Sequence, residues 1–204
     1  MPKKKKTFKN VYQFKITLQE IRPPIWRRIQ VPETYSIWDF HVAIQDAMGW
    51  TDSHLHEFQM KDPKSHAEVE IGFPSEFAPG ILLSWETAMA DFFAINNPRA
   101  VYTYDFGDDW RHMVILEKIL PKEPGIRYPR CIKGKRACPP EDIGGVWGYE
   151  EYLEKLRNPD ARDEDDEYCD FDFDPEHFSC AEVVFDDPEE RLKQSGILDS
   201  LCID

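Results

Sequence analysis

With 204 residues, 41% of them apolar and 13% aromatic, the chain can bury a substantial core and is too apolar to be disordered throughout. No apolar run approaches the roughly 18 residues of a membrane span, and the opening Met1-Pro-Lys-Lys-Lys-Lys lacks a signal peptide's apolar stretch, so a cytoplasmic protein with no membrane association is expected. The net charge of −14 is unevenly spread: residues 1–140 hold 20 Lys/Arg against 17 Asp/Glu and residues 141–204 hold 5 against 22, which leaves room for a local basic face.

Residues 1–10 read as a flexible basic lead-in. Tyr12, Phe14, Ile16 and Leu18 then alternate with polar residues, the period of a half-buried strand. Arg22-Pro-Pro24 interrupts the run, because proline supplies no ladder donor, and Ile25–Val31 returns as an antiparallel partner. Ser36 and Asp39 form a capping-box pattern ahead of a helical repeat, Ile37, Phe40, Ile44, Ala47 and Met48, which Gly49 stops. Short strands are expected at Leu55–Met60 and Glu68–Ile71, a Pro/Gly-rich loop at 73–81 and a modest helix near Trp85–Ala94.

Ala100–Phe106 and Trp110–Ile119 flank Gly107-Asp-Asp109, a hairpin signal in which glycine is expected to take the positive φ. From Pro121 to about Pro140 the pattern is irregular. A helix is expected over Tyr149–Leu156, ended by Asn158-Pro159, and another from Asp174-Pro-Glu176 to about Phe185, with a short one starting at Pro188. Asp163-Glu-Asp-Asp-Glu167 marks an acidic loop at about 160–170. Hairpins with helices between and after them predict an α+β fold, a mainly antiparallel sheet with helices packed against it. The domain is expected at 11–187, with 188–204 a tail or short helix. Cys131, Cys138, Cys169, Cys180 and Cys202 are odd in number and widely spread, and read as reduced thiols.

Two irregular strings stand out, Tyr102-Thr-Tyr-Asp-Phe-Gly-Asp-Asp-Trp-Arg-His112 and Cys131-Ile-Lys-Gly-Lys-Arg-Ala-Cys-Pro-Pro-Glu-Asp-Ile-Gly-Gly-Val-Trp-Gly-Tyr149. Together with Pro23-Pro-Ile-Trp-Arg-Arg28, Gly49-Trp50 and His54-Leu-His-Glu-Phe58, and in the same order along residues 10–185, they resemble the plasmid pRiA4b ORF-3-like family. Members of that family are also labelled TnpR-like passenger proteins of insertion elements. The resemblance implies one α+β domain and carries over no catalytic residues. The chain has neither a serine-recombinase pattern nor a helix-turn-helix with a basic recognition helix.

The candidate cleft residues are Asp105, Asp108, Asp109, Trp110, His112, Glu141, Asp142 and Tyr149. Clustered acids suit a hard cation, with His112 a nearby base, although turn chemistry alone explains Asp108 and Asp109. On a strand, Asp105 would oppose the Tyr102/Tyr104/Phe106 face. His54 and His56 straddle Leu55, so a strand would present both imidazoles on one face as metal ligands, with Cys131, Cys138 or Asp52 completing the set. A hydrogen-bonded structural pair is the simpler account.

Arg127, Arg130, Lys133, Lys135 and Arg136 form a basic loop, best used in pairing with the acidic last third and otherwise suited to nucleic acid. The glycine-rich loop at 144–148 lacks a P-loop lysine, and Asp170-Phe-Asp-Phe-Asp174 fails the calcium-loop pattern because Pro175 stands where glycine belongs.

The leading expectation is a non-enzymatic binding or accessory module whose Asp-rich hairpin, His-x-His segment and Pro-Pro-Glu-Asp loop line one cleft for a protein, peptide or small ligand. No cofactor is expected. The alternatives are a metal-assisted hydrolase, with a divalent ion on Asp105, Asp108 or His54/His56 and Glu141 as base, and a DNA-associated accessory factor of a mobile element.

Overall fold

A computed structural model describes residues 7–74, 80–162, 170 and 172–196. The basic run Lys3–Lys6, the centre of the 73–81 loop, the acidic block at 163–167, Cys169 and Cys202 lie outside the described residues.

The alternation read near the N-terminus becomes β1 (Asn10–Leu18), whose Phe14, Ile16 and Leu18 are fully buried, and it pairs antiparallel with β2 (Trp26–Pro32) in the register Phe14↔Ile29. On its other side β1 meets β7 (Trp110–Pro121), the longer arm of a hairpin with β6 (Arg99–Tyr104). β6 continues into β3 (His56–Lys61), β4 (Glu68–Gly72) and a two-residue β5 (Leu82–Leu83). The far edge is β8 (Arg130–Lys135), against β2. Among the described residues the result is one eight-stranded sheet ordered β5-β4-β3-β6-β7-β1-β2-β8, parallel only where β4 meets β5. This is the α+β class that the hairpin pattern implies.

One face of the sheet is buried beneath α1 (Ile37–Met48), which starts where expected. Ser36 Oγ accepts from Asp39 N at 3.1 Å, Asp39 returns a bond to Ser36 N at 3.0 Å, and Gly49 ends the helix at φ 98°. Phe40 drives into the sheet, its ring 4.3 Å from Phe14, 5.8 Å from Phe58 and 5.9 Å from Phe93. Burying an aromatic side chain of this kind stabilises by roughly 2–3 kcal/mol. The short α4 (Pro188–Gln194) docks on α1: Arg191 reaches Asp46 at 2.8 Å and Trp38 Nε1 donates to Pro188 O at 2.9 Å.

Four local expectations are corrected. Of the helix near Trp85–Ala94 only α2 (Met89–Phe92) forms, because Thr87 O and Ser84 O are drawn into bonds with Ile37 N and Trp38 N. The irregular stretch at 121–140 contains β8, whose charged, glycine-bearing sequence lacks apolar alternation because it is an edge strand. The helix near Tyr149–Leu156 starts earlier, as α3 (Gly145–Arg157).

The helix expected from Asp174 is replaced by turns. Asp174 does accept from Glu176 N at 2.9 Å, but Pro175 O is taken by Ala137 N at 3.1 Å and the Phe178 ring fills the space beside Gly134, so tertiary contacts override the local start signal.

Candidate functional site at the junction of three loops

The β6–β7 turn is built by its aspartates. Asp105 (φ 55°) and Asp109 (φ 54°) take the left-handed conformation expected of Gly107. β6 ends at Tyr104, so Asp105 is a turn residue and has no strand face. Asp105 N donates to Leu55 O at 3.0 Å and its Oδ1 accepts from Gly107 N at 2.9 Å; Asp109 pairs with Arg111 at 2.9 Å.

The turn is pressed against the loop before α3. Asp108 Oδ2 accepts from Gly144 N at 3.1 Å, and a Cβ on Gly145 would lie 2.5 Å from Asp108 O. Glycine is required there both by that approach and by φ 68°.

At this junction His54 Nε2 stands 2.9 Å from Asp142 Oδ1 and 3.7 Å from Asp105 Oδ2, and one ligand atom from each of the three lies within 4.8 Å of the others. Asp105 is only 8% exposed, the His54 side chain 30% and that of Asp142 73%, so the trio grades from buried to solvent. His54 Nε2 is shielded from water and hydrogen-bonds to neither carboxylate: Asp105 Oδ2, at 3.7 Å, is too far, and Asp142 Oδ1, at 2.9 Å, is poorly aligned. The arrangement offers two anionic oxygens and one imidazole nitrogen to a cationic group.

Glu141 stands beside them but is already committed. Its Oε1 accepts from Thr51 N at 2.7 Å and from Thr51 Oγ1 at 3.1 Å, and both of its oxygens lie 3.2 Å from the Tyr104 hydroxyl, which in turn accepts from Ser53 N at 2.9 Å. Burial, then the Glu141 charge, holds the Tyr104 phenol well above its ordinary pKa, so it is a fixed donor. Three large apolar side chains on these same segments face solvent: Leu55 (50% exposed), Phe106 (54%) and Trp147 (83%).

Several expected members lie elsewhere. His56 opens β3 whereas His54 precedes it, so the two imidazoles do not share a face. His56 is buried against the His41 ring, 3.5 Å away and nearly parallel, and burial followed by His41 pushes its pKa well below the ordinary value. Among the described residues neither of its nitrogens has a hydrogen-bond partner.

His112 is fully buried, its Nδ1 3.0 Å from Trp110 O, and burial brings its pKa down to about 4, so it supports the β6–β7 core and is no base for the acids. Trp110 packs 6.0 Å from Trp50, and Tyr149 is buried with its phenol pushed up to about 12 by desolvation. Cys131 faces Cys180 at 3.8 Å, and Cys138 is buried near Arg27, so neither completes a set with a histidine. In the basic stretch, Arg130 reaches Glu123 at 2.8 Å and Arg136 reaches Glu176 at 2.7 Å, the second being the expected pairing with the acidic third, while Arg127, Lys133 and Lys135 are exposed.

No sequence pattern points to a second polar network, centred on His41. His41 Nε2 is 2.7 Å from Asp52 Oδ1 and its Nδ1 is 2.9 Å from the Tyr102 hydroxyl, which also accepts from Gln45 at 2.8 Å. Nε2–H donation to Asp52 and acceptance from Tyr102 satisfy the ring. His41 falls at a helical core position, where only three-dimensional proximity reveals its partner. Away from the junction, a broad open groove of about 1080 Å³ runs over β3, β4 and β6, lined among others by Glu70, Leu82, Arg99, Val101 and Met113. Its lining carries Lys61, Asp62, Glu68, Glu70 and Arg99, but among the described residues it holds no three His, Cys, Asp or Glu close enough to share a metal ion.

The comparisons with known proteins agree with one another. The family model for plasmid pRiA4b ORF-3-like protein matches residues 10–182. An uncharacterised protein, y4hQ, from Sinorhizobium fredii is 35% identical over 192 residues, covering 87% of this chain and 92% of its own. The crystal structure of a protein of unknown function, MM3350 from Methanosarcina mazei Go1, is 47% identical and superposes with a TM-score of 0.83 over 88% of this chain and 99% of its own.

Proposed function

The chain belongs to the plasmid pRiA4b ORF-3-like family, and from the chemistry of its three-loop junction we propose that it is a non-enzymatic binding module whose cleft receives a cationic group of a peptide or partner protein. The observation that carries this reading is the approach of His54, Asp105 and Asp142 to within 4.8 Å of one another. A lysine or arginine entering there meets two carboxylates, one of them largely desolvated, where attraction is stronger than on open surface. The exposed Leu55, Phe106 and Trp147 belong to the same segments and suit an apolar neighbour of that cation. A net charge of −14 favours a cationic partner at long range.

Two features weigh against the rival readings. Glu141, the base that a metal-assisted hydrolase would need, is already engaged by Thr51 and Tyr104. Arg130 and Arg136, two of the five cations that would meet DNA, are paired with carboxylates.

The test is titration of Trp fluorescence with a panel of capped tripeptides carrying Lys or Arg between aromatic or aliphatic residues. Binding that weakens with salt, and falls at least about tenfold in Asp105→Asn and Asp142→Asn, is expected. No binding across the panel, or binding indifferent to both substitutions, counts against the reading. Saturable Mn²⁺ binding lost in the same variants would favour the metal alternative.

A further inference from the structure

We propose that Cys131 and Cys180 are an oxidisable pair, a modification site at which disulfide formation fastens the C-terminal segment to strand β8. Their sulfurs lie 3.8 Å apart although the residues are 49 positions apart in sequence. A disulfide needs a separation of about 2.05 Å, so side-chain rotation and a small backbone adjustment close the gap.

Independent contacts hold both cysteines in register. The Phe178 ring sits 3.7 Å beneath the Arg27 guanidinium and occupies the space over Gly134, where a Cβ would come within 2.3 Å of it. Glu176 grips Arg136 at 2.7 Å and Pro175 O accepts from Ala137 N at 3.1 Å. These contacts flank Cys180 on one side and Cys131 on the other, so the segment is already seated where the bond would form. Both thiols are half-buried, which leaves them reachable by a small reagent.

The chemistry balances with a low-molecular-weight disulfide as oxidant. One cysteine thiolate attacks a sulfur of the reagent, releasing one thiol and leaving a mixed disulfide. The second cysteine then displaces the other half, so the protein loses two hydrogens and the reagent gains them as two thiols. Burial, with the adjacent Cys180, holds the Cys131 thiol up at about 12, so exchange quickens as pH rises. The closed loop spans residues 131–180 and therefore encloses the Glu141–Gly145 side of the junction and all of α3. Closing a loop of that length constrains the unfolded chain, and oxidation is expected to raise Tm by roughly 10 °C.

The experiment uses the full chain, incubated with oxidised glutathione at pH 8.5, then alkylated and mapped by mass spectrometry without reduction. The expected result is a peptide pair joined through Cys131 and Cys180, two hydrogens lighter than the reduced pair, with a raised Tm that dithiothreitol reverses. Cys138→Ser should preserve both results and Cys180→Ser should abolish both. Should Cys180→Ser fail to fold, the wild-type map decides by itself. Cys131 joined to another cysteine, Cys131 left as a glutathione adduct, or both thiols recovered alkylated would each overturn the proposal.

Discussion

Replacing Gly145 by alanine isolates the contact that assembles the junction. At φ 68° a Cβ costs about 1–2 kcal/mol through its clash with the backbone. The new methyl would also lie 2.5 Å from the Asp108 carbonyl oxygen, an obstacle that no side-chain rotation relieves. Restoring an ordinary contact of 3.4 Å moves the two loops apart by roughly 1 Å, which breaks the 3.1 Å bond from Gly144 N to Asp108. That bond is solvent-exposed, so its loss adds at most about 1 kcal/mol.

The expected total is about 2–3 kcal/mol, or a Tm lower by roughly 5–10 °C for a chain of this size. Urea denaturation followed by tryptophan fluorescence measures it, with Gly125→Ala as the reference because Gly125 has φ 79° and nothing within 4 Å of an added Cβ. Gly145→Ala should cost clearly more than Gly125→Ala and weaken peptide binding; equal costs would refute the close docking of hairpin and loop.

Acid should destabilise the protein through its buried imidazoles. The folded-state pKa of His112 is lowered from 6.5 to about 4, so its contribution is fully present above pH 6.5 and is lost as pH falls towards 4. The full loss is about 3 kcal/mol, and His56 adds to it in the same direction. Urea midpoints at pH 7 and 4.5 should fall less steeply in His112→Asn than in wild type, and identical slopes would contradict the assignment. Phe40→Ala should cost about 3–5 kcal/mol, because the ring is wholly buried among Phe14, Phe58 and Phe93. A cost below about 1 kcal/mol by urea denaturation would mean that the helix–sheet contact is misplaced.

Arg27→Lys should cost about 2–4 kcal/mol, since the buried guanidinium donates to Ala47 O at 2.7 Å, Trp26 O at 3.0 Å and Lys135 O at 3.1 Å, a fork that an ammonium cannot reproduce. Thermal unfolding checks this, and an unchanged Tm would show that those carbonyls do not depend on it.

What the sequence disclosed follows from how local each signal is. The Ser36/Asp39 capping box, Gly49 and the alternation of Tyr12 to Leu18 are encoded within a few residues, and each appears where it was read. The β8 edge and the turns at 174–185 are dictated by distant partners, β2 and Gly134, so local pattern misreads both. For the site, the three segments were identifiable from their density of polar and aromatic residues. Which atoms meet was not. Strand periodicity put His54 with His56, but β3 begins only at His56 and leaves His54 with Asp105 and Asp142. Asp105, which strand alternation sets opposite the Tyr102/Tyr104/Phe106 face, is a turn residue whose Oδ2 lies 3.7 Å from the Nε2 of His54, a loop residue 51 positions earlier.

The most direct test of the account is an NMR map of where a cationic ligand sits. Amide and indole resonances of the ¹⁵N-labelled protein are followed while the tightest peptide of the Lys/Arg panel is added. Binding at the junction is expected to centre the shifts on His54, Asp105, Asp142 and Gly144 with the Trp147 indole. Shifts confined to Arg99, Val101 and Met113 in the open groove would contradict it.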